Sequence, residues 1–301
     1  LEIISMGPPS SGGILLVMML NMFTSFGDMN STNIFDLEFN SSEYIHLITE
    51  IERRAYADRA THLGDEDFWQ VPSEMLLSEK YANERVQNIS IDKSTASDDI
   101  KAGISPFSES EETTHYSVID KYGNAVSVTT TINSGYGSGI TVTGAGFILN
   151  NEMDDFSSKP GVPNMFGLIG NEANAIEAYK RPLSSMTPTL VIKDDEPYLI
   201  LGTPGGSTII TTVLQNILNV VVHKMNIKEA VDAPRFHSQW LPDQIDYEKN
   251  SLSKRTANKL KLLGHKLDQR GYIGEANGIM IDNGLYWGGA DKRGENTAVG
   301  Y

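Results

Sequence analysis

Thr113 and Thr114, followed by His115-Tyr116-Ser117-Val118, stand directly after the acidic run Glu109-Ser110-Glu111-Glu112. A threonine in that setting becomes a catalytic N-terminus if the chain is cut before it. Its hydroxyl is then the nucleophile and its freed α-amino group the base, so one residue supplies both halves of an activated pair. Taken alone, two threonines entering a strand are ordinary β-structure. Gly202-Thr203-Pro204-Gly205-Gly206-Ser207 is a second site of possible chemistry. It follows a strand pattern and opens a helix, where backbone N–H groups lack intrahelical partners and can hold an anion or a developing oxyanion. It fits neither the P-loop nor the dinucleotide glycine pattern, and its plain alternative is a tight strand-to-helix turn. Ser184 and Ser185, within Arg181-Pro182-Leu183-Ser184-Ser185-Met186, offer paired hydroxyls in a loop. Asn150-Asn151-Glu152-Met153-Asp154-Asp155 offers carboxylates for a substrate ammonium or a divalent cation, though not at EF-hand spacing.

These residues need elements to position them. Residues 1–90 read mainly as helix. One helix starts near residue 12, an amphipathic helix covers 42–62, and a weaker one covers 73–88. Residues 91–112 are acidic, serine-rich and poor in large apolar side chains, which predicts an exposed linker and the best domain boundary. Beyond it the period changes. Residues 115–120 and 125–133 alternate around the turn Lys121-Tyr122-Gly123-Asn124 and predict a hairpin. Strands are expected at 189–193 and 198–202, helices at 207–222 and 251–263, and further alternation over 266–290 around Asp282-Asn283-Gly284. Helices flanking clustered strands predict an α+β fold, with two mainly antiparallel sheets stacked between helices.

Composition removes several classes of function. A net charge of −15 argues against nucleic acid and anionic lipid as partners. The absence of cysteine excludes thiol catalysis, disulfides and Cys-type metal sites, and the six scattered histidines form no H-E-x-x-H zinc motif. No cofactor or metal is expected. The apolar run 14–19 is read as too short to span a bilayer, and it lacks signal-peptide flanks. The opening Leu1 gives the expectation of a segment of a longer chain, any targeting signal lying upstream.

The order of the motifs carries more than each alone. Thr113–Val118, Leu149–Phe156, Arg181–Thr189 and Gly202–Ser207, extended by Pro8–Gly13 and Ala233-Pro234-Arg235-Phe236-His237, together resemble the γ-glutamyltranspeptidases (glutathione hydrolases), which are autoprocessed N-terminal-nucleophile hydrolases. The resemblance covers essentially the whole chain and implies an αββα four-layer sandwich, incomplete without an upstream portion. It implies autocatalytic cleavage before Thr113, with 1–112 the C-terminal part of a large subunit and 113–301 a small catalytic subunit. By it, Thr113 is the nucleophile and Thr131 the supporting hydroxyl. Asn133, Glu152 and Asp155 hold the α-amino and α-carboxyl ends of a glutamyl group, Ser184 and Ser185 grip its α-carboxylate, and Gly205 and Gly206 form the oxyanion hole. The implied substrates are glutathione or other γ-glutamyl compounds, with water, amino acids or dipeptides as acceptors. The implied location is periplasmic or secreted.

Two departures from the family stand out. Its α-carboxylate arginine lies in the part of the large subunit that precedes this chain, and Arg181 cannot be assumed to replace it. Residues 159–169 resemble a lid loop, with Phe166 where a tyrosine is usual. Alternative readings are a sibling acylase of the cephalosporin or poly-γ-glutamate type, or an unprocessed binding relic. Asp155, Ser184 and Ser185 favour an α-amino-acid head and so the first reading.

Overall fold

The computed structural model describes residues 1–101, 113–159, 162, 164, 165, 168 and 170–300. The expected cleavage bond after Glu112, the whole acidic run Glu109–Glu112 and Phe166 lie outside the described residues. The fold is α+β. Its centre is a five-stranded antiparallel sheet in the order β1 (Glu2–Ser5), β4 (Thr189–Lys193), β5 (Glu196–Gly202), β9 (Asn277–Asp282) and β10 (Leu285–Ala290). The chain's N-terminal strand therefore pairs with β4, nearly two hundred positions away, Ile3 opposite Val191.

Against one face lie α1 (Gly12–Asn30) and α5 (Thr208–Val221), with α2 (Ser42–His62) packed on α1. Leu15, Met18, Met19, Ile45, Ile48, Ile210 and Val213 are almost entirely buried among them. α1 is long and apolar enough to cross a membrane by length and composition, so its run exceeds the stretch 14–19 singled out above. In this structure most of it is buried in the core, between α2, α4 (Glu79–Val86) and α5.

Against the other face lies the hairpin β2 (Thr114–Ile119) and β3 (Ala125–Thr130), Thr114 opposite Thr130. Its inner face is polar. The His115 ring bonds the Thr129 and Ser117 hydroxyls at 2.9 and 3.0 Å, and Ser127 Oγ donates to the Leu201 carbonyl. Burial lowers the His115 pKa to about 4, so the ring is neutral. Tyr116, Val118 and Val126, on the outer face, stay about half exposed. The hairpin sits tightly because β5 ends in glycine: a Cβ on Gly202 would come within 2.2 Å of the His115 ring.

Several expectations shift. The 73–88 helix is two short pieces, α3 (Ser73–Leu76) and α4, and 251–263 contracts to α7 (Lys254–Leu262), capped by Ser253. β6 (Phe236–His237), β7 (Ile245–Glu248) and β8 (Leu267–Arg270) form a separate sheet with a parallel pair, β7 and β8, which alternation did not indicate. α2 is buried on every side, with Glu50, Glu52, Arg53, Arg54 and Arg59 inside rather than on a solvated face. These charges anchor the segment read as exposed linker. Glu50 accepts from the Thr95 amide, Arg54 donates to the Thr95 hydroxyl, and Ser97 and Ile100 are buried. Side chains too small and polar to look like core are held there by buried ionic partners.

Gly202→Ala should overpack the hairpin and sheet and lower stability by about 1–3 kcal/mol. The denaturant midpoint measures this, and an unchanged midpoint would contradict the contact.

Candidate active site

The site begins where helix α1 begins. Ser11 precedes the helix, but its hydroxyl makes no cap. It donates instead to the Ser184 carbonyl at 2.7 Å, while the Ser11 amide donates to the same carbonyl at 2.9 Å and Ser184 N donates to Pro9 at 3.0 Å. The Pro8–Gly13 loop thereby holds the double-serine loop as one strand holds another. From α2, Arg59 Nε donates to Ser11 Oγ at 2.9 Å and Nη2 to Ser185 Oγ at 3.2 Å, with Arg59 only 4% exposed.

The hairpin supplies the opposite wall. Thr113 Oγ1 lies 3.4 Å from Thr131 Oγ1, which accepts from the Asn133 amide at 2.8 Å. Asn133 adopts φ 75°, a left-handed conformation that asparagine tolerates better than most residues, and is buried. Its Nδ2 donates to the Asn151 carbonyl at 3.3 Å, and Asn151 in turn exchanges bonds with Ser134 at 2.9 and 3.0 Å. These bonds fix the short 3-10 turn Glu152–Asp155 beside the hairpin.

Arg59, Thr113, Thr131, Asn133, Asp155, Ser184, Ser185 and Gly206 line one cleft, with Asn164, Leu168 and Leu183 among the rest of its wall. Glu152 and Gly205 are not in that lining. Glu152 is half-buried one turn away, and Gly205 lies buried inside the turn whose next residue reaches the cleft. Thr113 also borders a second, more open groove formed by Thr114, Thr130, Ile132, Ser134 and Gly135.

Asp155 is the perturbed acid of the site. Burial pushes its pKa up to about 7, Glu152 and Asp154 add to the rise, and Arg59 and a hydrogen bond from Asn133 oppose it. A carboxyl whose ionised form is short of positive charge is a place for a cationic ligand group.

Arg59 is the residue that sequence reasoning missed. It falls on the stripe of Ile48, Ala55 and Tyr56, and an arginine on an apolar stripe needs buried partners. Arg181 does not reach the cleft lining. Half-exposed itself, it pairs with the buried Asp65 and the exposed Asp67. Among the described residues, His46, Glu50 and His265 bring potential metal-ligand atoms together. The two imidazoles bond each other at 2.7 Å, and Glu50 is held by Arg53 and Arg54, whose charges oppose a cation.

A cleft with a threonine hydroxyl, paired serines, a half-buried acid and a glycine turn is the constellation to which the motif order points. Residues 1–301 match the family described as gamma-glutamyltranspeptidase. The chain belongs to the gamma-glutamyltranspeptidase family. It is 46% identical over 303 residues to the glutathione hydrolase proenzyme of Escherichia coli, a match covering 100% of this chain and 51% of that protein. It is 34% identical over 300 residues to an acylase proenzyme of a Pseudomonas species, covering 99% and 50%. The chain thus spans about half the length of the curated relatives it matches. A crystal structure of a Helicobacter pylori gamma-glutamyltranspeptidase mutant superposes with TM-score 0.59 at 54% identity, covering 60% of this chain and 100% of that one. Cephalosporin acylase from Bacillus halodurans gives 0.77 at 24% identity, covering 98% and 50%, and so shares the fold.

The electrostatics of Asp155 yield a stability test of the ligand-free protein. A carboxyl whose folded pKa is raised disfavours the fold progressively as pH climbs from its unfolded value toward the folded one. Asp155→Asn should therefore melt higher than the parent at pH 8 and lose that advantage near pH 4. An Asp155→Asn variant melting lower at pH 8 would mean that the carboxylate is structurally required.

Proposed function

We propose that the mature protein is a γ-glutamyl hydrolase and transferase, activated by cleavage before Thr113 into a large-subunit portion ending at 112 and a small subunit, 113–301. The observation that carries this is the single cleft in which the Thr113 hydroxyl, Asp155, the two serines and Gly206 meet. The Helicobacter pylori chain also matches about the share of this chain that 113–301 represents. Similarity to a glutathione hydrolase proenzyme supports glutathione or related γ-glutamyl amides as donors.

In this reading Thr113 Oγ1 attacks the γ-carbonyl carbon and its proton passes to the α-amino group released by cleavage. The Gly205 and Gly206 amides hold the oxyanion, the C–N bond breaks, and the leaving amine takes the proton. The γ-glutamyl ester then loses its acyl group to water, giving glutamate, or to an amino acid or dipeptide, giving a new amide. The second groove beside Thr113 gives acceptors a way in. Asp155 receives the donor's α-ammonium, assisted by Asn133 and by the nearby charge of Glu152. The Ser184 and Ser185 hydroxyls, the latter held by Arg59, receive the α-carboxylate. We further propose that the protein works in the periplasm or outside the cell, a reading that rests on the resemblance of its motifs to the family.

The acylase alternative is disfavoured by Asp155, which suits an α-amino group that a simple acyl donor lacks. Asp155→Asn in the full-length protein should reduce kcat/KM for a γ-glutamyl amide about ten- to a hundred-fold, the equivalent of a charge-assisted bond. An analogue lacking the α-amino group should lose much less, and equal losses would show that Asp155 does not read the ammonium. Thr113→Ala should leave one uncut band on a denaturing gel. Two bands would mean that another protease makes the cut.

A further inference from the structure

We propose that Thr203 is a positioning residue for the oxyanion hole, orienting and polarising the peptide that carries the Gly205 N–H. The inference rests on the assignment of that amide to the oxyanion.

Thr203 is fully buried between β5 and the glycine turn. Its hydroxyl donates to the Pro204 carbonyl at 2.6 Å and accepts from the Glu275 amide at 2.8 Å. The Pro204 carbonyl and the Gly205 N–H belong to one planar peptide unit. That unit is trans, so the two groups point in opposite directions. Fixing the carbonyl therefore fixes the direction of the N–H. A donor on the carbonyl also draws electron density through the amide and makes its N–H a stronger donor, as in any hydrogen-bonded chain.

The relay is itself braced. Ile273 N donates to Glu248 Oε1 at 2.8 Å, and Ala276 N donates to Asp291 Oδ2 at 2.8 Å. Arg235 Nη1 donates to the Ile273 carbonyl at 2.7 Å, and Arg235 and Arg293 pair with those same carboxylates. The segment 273–276 is thus held by a buried ionic network, and it presses directly on the turn: a Cβ on Gly205 would lie 3.3 Å from the Gly274 Cα. Gly205, at φ 136°, has a conformation open essentially to glycine. A turn built on residues so free to rotate needs external support to hold one orientation, and the Glu275–Thr203–Pro204 chain supplies it.

The test uses full-length protein carrying Thr203→Val, which keeps the shape and removes the hydroxyl, and Thr203→Ser, which keeps the hydroxyl. Removing a whole oxyanion donor costs about 10²–10³ in kcat, so misdirecting one should cost about ten-fold. Thr203→Val is expected to lower kcat about ten-fold with KM within two-fold. It should also loosen, by a similar factor, an amino-acid boronic acid that forms a tetrahedral anion on Thr113. Thr203→Ser should restore both. Equal kcat and boronate affinity in Thr203→Val and the parent overturn the relay, as does a loss that falls on KM alone. If the parent itself binds the boronate no more tightly than a neutral ground-state analogue, the oxyanion assignment fails first. In the uncut Thr113→Ala background, which needs no maturation, the Gly205 amide ¹⁵N resonance should move with Thr203→Val and not with Thr203→Ser. An unmoved resonance overturns the proposal even where Thr203→Val does not mature.

Discussion

A buried guanidinium joins segments that the chain keeps far apart. Arg59 sits on the most enclosed helix, and its fork reaches Ser11 at the start of α1 and Ser185 in the loop before β4. It adds a side-chain grip on Ser185 to the bonds that Pro9, Ser10, Ser11 and Asn174 make to residues 183–186. A charge so enclosed is tolerable only when its donors are satisfied, so the need to satisfy Arg59 also fixes where the serines stand. The rest of the cleft is built outward from that corner.

The opposite wall follows a different logic. The hairpin turns a polar face toward the central sheet, and His115, Ser117, Ser127 and Thr129 bond one another and the β5 backbone. Directional bonds hold the start of β2 in a way that apolar packing, which is adaptable, would not. Asp155 is then left across the cleft with too little positive charge of its own. That deficit costs stability in the empty protein and is relieved when a cation arrives, a common arrangement at sites that exchange stability for binding.

Much of this is legible in the sequence. The change of period after residue 112 located the hairpin, and glycines between a strand and an apolar helix located the turn at 205–206. Motif order drew Thr113, Asn133, Asp155 and the two serines into one site. What escaped has a common physical origin. Arg59 and Glu50 look like solvent-facing charges because a helix pattern cannot show that both faces are covered. Residues 94–100 look like linker because their anchors are polar and distant in sequence. The short sheet with the parallel pair β7 and β8 joins strands too brief to alternate visibly. Glu152 and Gly205, matched by resemblance, stand one step behind the cleft surface rather than on it.

The central claim is that Thr113 becomes an N-terminal nucleophile that carries a γ-glutamyl ester. Its most direct test is mass spectrometry of the full-length protein, quenched in acid during turnover of a γ-glutamyl amide. The expected product is a small fragment whose first residue is Thr113 and which gains the mass of one γ-glutamyl group on that residue's side chain. A fragment beginning elsewhere, or an acyl group on any other residue, would contradict it.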